Sequence, residues 1–152
     1  MDQLKIEKDI IQNLGEPSLV EKKGITIHYS ADNDSKRLRR EMTQSNIGYH
    51  YLILEDGKIV QVGSLDLKMN HAGKAMWNAH SPNRCHIAIA FLGWGLLDKN
   101  HKTWSGIIAD RWVDRRGNIW HPATDLQEKS LEMLVRHLMQ EYKINEIGRA
   151  HV

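Results

Sequence analysis

The chain has 152 residues and a mass of 17.6 kDa, the size of one ordinary domain, and 41% hydrophobic with 26% charged residues excludes a disordered polymer. Lys and Arg total 21 against 19 Asp and Glu, a net +2 that is too even to mark a nucleic-acid binder. One cysteine, Cys85, excludes an intramolecular disulfide framework and any paired-cysteine metal or redox motif.

In chain order, Leu4, Ile6, Ile10, Ile11 and Leu14 recur at roughly helical spacing before Gly15 and Pro17, which predicts an amphipathic helix over residues 2–14. Charges are mixed into that stretch, unlike a signal peptide, and no apolar run approaches the roughly 18 residues that cross a bilayer. A soluble chain made in the cytosol, without membrane insertion, is the expectation. Ile25-Thr26-Ile27-His28-Tyr29 alternates as a strand, sending Thr26 and His28 to one face. After the capping-rich loop of residues 31–35, Leu38 and Met42 sit one turn apart on a short basic helix. Lys36, Arg37, Arg39 and Arg40 are expected on its solvated sides.

Residues 49–54 and 59–62 flank Asp56-Gly57, which predicts a hairpin with a type I′ turn. Residues 64–84 read as irregular, and His86 to Leu92 as a central strand. Residues 93–122 are a Trp-rich insertion of little periodicity, where Trp94, Trp104, Trp112 and Trp120 cover a core or line a groove. Thr124 and Gln127 fit a capping box. The helix they open carries Leu131, Leu134, Val135, Leu138 and Tyr142 on one face and runs to about Lys143. Ile144 to Ile147 is a last short strand, and no linker or repeat divides residues 1–152, so one α/β domain with a mixed central β-sheet flanked by helices is expected.

Nine histidines are the unusual feature of the composition. A lone histidine at a strand end, such as His28 or His151, is more often a hydrogen-bonded structural residue than a ligand. The two together would project from strand ends at one edge of the same sheet, and neutral imidazoles suit zinc, whose catalytic sites use three protein ligands and a water. No third ligand stands out, and Cys85 reads as a small apolar residue.

Four segments, taken in order, carry a resemblance. They are His28-Tyr29-Ser30; Gly48-Tyr49-His50-Tyr51-Leu52-Ile53 with Asp56-Gly57; Asn70-His71-Ala72-Gly73; and Asn83 with Ile87-Ala88-Ile89. From about residue 24 onward the chain resembles the zinc-dependent N-acetylmuramoyl-L-alanine amidase family. That family includes amidase-type phage lysozymes, cell-wall recycling amidases and peptidoglycan-recognition proteins. The resemblance implies their fold, with His28 and His151 as zinc ligands, Tyr49 as a catalytic residue beside the metal-bound water, and His71 and Asn83 as substrate contacts. On the residues alone, Tyr49 reads equally as a core aromatic, His71 as a turn cap and Asn83 as a turn residue.

The implied reaction is hydrolysis of the amide between N-acetylmuramic acid and L-alanine in peptidoglycan or a muropeptide, with zinc lowering the pKa of its water to about 7. Recycling members place a glutamate where this chain has Ala90, so the phage-type, endolysin-like arrangement fits better. In the family a lysine and an Asp or Cys follow the second histidine. Here one residue follows His151, so the chain is expected to be cut within the motif and inactive as it stands. The competing expectation is a non-catalytic muropeptide-binding module on the same fold. The third zinc ligand, stem-peptide preference and oligomeric state stay open.

Overall fold

A computed structural model describes residues 3–17, 21–73, 76, 81–107 and 112–151, without the side chains of residues 149–151. The first half of the chain supplies β1 (Ile6–Lys8), β2 (Glu16–Pro17), β3 (Gly24–Tyr29), α1 (Ser35–Ser45), β4 (Tyr51–Ile53), β5 (Ile59–Gln61) and β6 (Leu67–Lys68). The second half supplies α2 (Pro82–Cys85), β7 (His86–Phe91), β8 (Leu96–Leu97), β9 (Trp112–Val113), β10 (Ile119–Trp120), α3 (Asp125–Tyr142) and β11 (Glu146–His151).

Six strands form a mixed sheet in the order β1-β5-β4-β7-β3-β11. β4, β7, β3 and β11 run parallel to one another, β5 runs antiparallel to β4, and β1 parallel to β5. Alternation along the strands sorts the core into two layers. Leu52, Val60, Ala88 and Ala90 face Leu38 and Met42 of α1, whereas Tyr51, Ile53, Ile25, Ile87 and Ile89 face Leu134 and Leu138 of α3. The expected α/β architecture with helices on both sides of a mixed sheet is therefore present.

The two longer helices, α1 and α3, are capped by local chemistry. The Asp34 carboxylate accepts from the backbone N–H groups of Lys36 and Arg37, and Asn46 closes α1 in a left-handed conformation at φ 53°. Thr124 and Gln127 form the predicted capping box reciprocally.

Several expectations need correction. No helix forms among described residues 3–14; Ile6 to Lys8 is a strand on β5 instead. The apolar spacing there serves two layers, since Leu4 and Ile6 pack on the α3 side while Ile11 and Leu14 pack on the α1 side. The Asp56-Gly57 turn is not type I′. Gly57 alone among its residues has positive φ, at 87°, and its N–H donates to Leu54 O, a type I turn followed by a glycine bulge. Residues 64–84 are not all irregular, because β6 and α2 lie within them. The insertion is also ordered in part: β8, β10 and β9 make an antiparallel sheet. Finally, the last strand is longer than predicted and carries His151 within it.

Tyr29 ties that small sheet to the end of β3. Its hydroxyl donates to His121 O (2.7 Å) and accepts from Gly95 N–H (3.0 Å). Gly93 lies so close to this phenol that a Cβ there would fall 2.2 Å from its oxygen.

Candidate metal centre

β3 places Thr26 and His28 on the α1 side of the sheet, as the alternation predicts. Ala90 of β7 and the backbone of Ala150 in β11 are the register partners of His28. The ring is 1% exposed. Its Nε2 lies 2.8 Å from Nδ1 of His71, and its buried Nδ1 has no hydrogen-bond partner among the described residues. Burial disfavours the imidazolium and lowers the pKa of His28 to about 4, so the ring is neutral at neutral pH.

Tyr49 precedes β4 and belongs to the α1-side core, its ring centroid 5.0 Å from that of His28. Burial raises its pKa, so the phenol keeps its proton. Among the described residues its hydroxyl has no hydrogen-bond partner. The core reading of Tyr49 and its place beside His28 hold together.

His71 also reaches this cluster. Its ring is edge-on to His28 at 4.9 Å between centroids, and its Nε2 lies 3.0 Å from Pro82 O at the start of α2. Burial, then the neighbouring His28, lowers its pKa to about 3. Asn83 supports it from behind. The amide oxygen accepts from the backbone N–H groups of His71 and Ala72 (both 2.9 Å), and the amide nitrogen donates to Gly73 O (3.0 Å).

The backbone of His151 lies in β11 beside Tyr29, one residue beyond the partner of His28; its side chain lies outside the described residues. Among the described residues no three His, Cys, Asp or Glu side chains gather to hold a metal ion. The donor present nevertheless fits zinc: a neutral imidazole with one nitrogen braced and the other buried, with no partner among the described residues, is how a metal ligand is prepared.

Sequence reasoning missed three polar groups, the buried His50 and His86 and the half-buried Arg37. His50 is fully buried, donating from Nε2 to Leu67 O (2.7 Å) and accepting from Ala88 N–H at Nδ1 (2.9 Å). His86 lies 2.8 Å from the Thr26 hydroxyl through its Nδ1. Arg37, expected on a solvated face, makes a two-point contact with Asp32 and stacks over Trp104 at 4.5 Å. An imidazole inside an otherwise apolar run was the available signal for His50 and His86, whereas Arg37, within a basic run, gave none.

The sequence model of the family described as N-acetylmuramoyl-L-alanine amidase matches residues 19–151. Among curated proteins no match was found. Solved structures with a similar fold include the N-acetylmuramoyl-L-alanine amidase LysC from Clostridium intestinale URNW, at 22% identity and TM-score 0.65, over 95% of this chain and 81% of that one. The amidase AmiD from E. coli, solved with anhydro-N-acetylmuramic acid-L-Ala-D-γ-Glu-L-Lys, matches at 20% identity and TM-score 0.64, over 82% of this chain and 45% of that one. PGRP-SA from Apis mellifera matches at 16% identity and TM-score 0.60, over 95% of this chain and 83% of that one. The matched family model, on a sheet that sets His28 beside Tyr49, shows that the chain belongs to the N-acetylmuramoyl-L-alanine amidase family, whose members hydrolyse the amide between muramic acid and L-alanine in peptidoglycan.

Proposed function

We propose that this amidase acts on peptidoglycan or a muropeptide with a zinc ion held by His28 Nδ1 and His151, and with Tyr49 as the catalytic hydrogen-bond donor. The observation that carries the reading is the buried Nδ1 of His28, without a partner among the described residues, next to a strand that ends in a second histidine. Zinc there supplies Lewis-acid polarisation of the scissile carbonyl and lowers the pKa of a coordinated water to about 7.

Tyr49 keeps its proton at neutral pH and donates it in a hydrogen bond to the carbonyl oxygen as negative charge develops there. Ala90 stands beside His28 on β7, so that strand position offers no carboxylate, and the phenol is the polar hydrogen at hand. The ligand of AmiD, a muramyl group joined to L-alanine, supports the same substrate class for this chain.

The test is incubation of purified sacculi with the full natural chain, zinc-loaded, followed by quantitation of newly exposed N-terminal L-alanine. Zinc-dependent release, lost in His28→Ala, is the expected result. Retained binding to sacculi without release would overturn the hydrolytic reading and establish a recognition module.

A further inference from the structure

We infer that His71 is a positioning residue: its imidazole fixes the tautomer of His28, so that His28 presents Nδ1 as a lone pair to the metal. This assignment rests on the zinc reading for its functional consequence, but not for its structural content.

The logic starts at Pro82. A carbonyl oxygen only accepts, so His71 Nε2, 3.0 Å from Pro82 O, carries the hydrogen. A neutral imidazole has one N–H, which leaves Nδ1 of His71 as an acceptor. His28 Nε2, 2.8 Å away, must then be the donor of that pair. The single hydrogen of neutral His28 is thereby placed on Nε2, and its buried Nδ1 is left with an unshared pair that no N–H or O–H among the described residues meets. Both rings are buried, which favours the uncharged imidazoles between which such a relay runs.

The direction of the relay is set by fixed backbone. Pro82 O belongs to the first residue of α2, and Asn83, the next residue, clamps the backbone of residues 71–73 with three hydrogen bonds. One short turn therefore both orients His71 and dictates its tautomer. At 8% exposure, and with both ring nitrogens engaged, His71 offers little to a substrate. The Asn83 amide is likewise committed to the loop. The contacts the resemblance implied for these two residues are better explained as support for His28.

The experiment uses metal-free, 15N-histidine-labelled protein and long-range 1H–15N correlation spectra, which distinguish Nε2–H from Nδ1–H rings. Wild type is expected to show Nε2–H at both His28 and His71; a predominant Nδ1–H form at His28 would overturn the inference without any variant being made. In parallel, zinc affinity is measured by competition with a chromogenic chelator. His71→Leu, which removes the acceptor, is expected to weaken zinc binding about 10- to 100-fold and to release the tautomer of His28. His71→Asn, which returns an acceptor oxygen near the place of Nδ1, is expected to restore most of both. Unchanged affinity in a folded His71→Leu protein would also overturn the inference. Wild type with the expected tautomers but no zinc binding would instead overturn the zinc reading and leave the assignment of His71 standing.

Discussion

At position 50 a histidine is used as part of the backbone network. Its Nδ1 accepts from Ala88 N–H and its Nε2–H donates to Leu67 O, so protonation would both bury a charge and remove the acceptor that Ala88 needs. Burial lowers its pKa from the ordinary 6.5 to about 4. The unfolded chain therefore binds more protons than the folded one between those values. Stability is intact above pH 6.5 and falls as pH drops toward 4, with His50 alone contributing on the order of 3 kcal/mol of that loss. Urea unfolding of metal-free protein at about pH 7.5 and about pH 4.5 checks the sign, and a His50 ring signal that titrates normally near 6.5 would contradict it. Tyr49 invites a different test. Its core packing survives replacement by Phe, while the hydrogen-bond donor is lost. Tyr49→Phe is expected to lower kcat about 100-fold with zinc affinity and folding retained, the cost of removing one oxyanion donor. A kcat within a few-fold of wild type would return Tyr49 to a purely structural role.

Among the elements, α3 shows how a sequence signal acquires a second use. Gln127 closes the capping box through its Oε1, and the same side chain donates through Nε2 to Ile53 O (3.1 Å) and Leu92 O (2.7 Å) at the ends of β4 and β7. The amide is buried, so Gln127→Ala leaves Leu92 O unmet, takes one of two donors from Ile53 O, which still accepts from Leu92 N–H, and opens the cap; a loss of about 3 kcal/mol is expected in urea unfolding. Thr124→Ala, which loses one cap bond and a bond to Glu55 O, should cost about half as much. The cap itself was legible because its chemistry is local, a Thr and a Gln three residues apart. β3, β7 and α1 were legible for the same reason, since alternation or a one-turn spacing is visible within the element. The N-terminal strand was not, because its apolar residues answer to two opposite layers and only long-range pairing with β5 decides its shape. The type of the Asp56-Gly57 turn depended on loop length, which a dipeptide does not specify. At the candidate site, His28 stood out by its place at a strand end and Tyr49 through the resemblance, whereas the brace formed by His71, Pro82 and Asn83 needs coordinates: nothing in the spacing of residues 71 and 82 tells which carbonyl a ring nitrogen meets.

For the molecule as a whole, the sheet ends on segments from near the two termini of the described chain, and they are not equivalent. β1 contributes three register pairs to β5, from Ile6 to Lys8, and two of these residues are exposed. β11 contributes six to β3, from Glu146 to His151, and lies against the strand that carries Ile25 and His28. Cutting the chain after Ile144 would bare the whole outer edge of β3, a largely buried parallel strand, leaving its N–H and C=O groups unpaired beside the apolar face that Ile25 and Ile27 turn toward α3. Removing residues before Asp9 would bare only a short edge at β5. The first cut is therefore expected to lower the urea midpoint much further than the second and to produce association visible by light scattering. Zinc sharpens the comparison, because the proposed ligands sit on both sides of the β3–β11 seam and metal binding would fasten one strand to the other. In the intact chain, zinc at 100 times its dissociation constant should add about 2.7 kcal/mol to unfolding, and none of this should survive the cut after Ile144 or His28→Ala. Equal stabilisation of the cut and intact chains would place the metal elsewhere, away from the seam on which both the fold and the proposed chemistry depend.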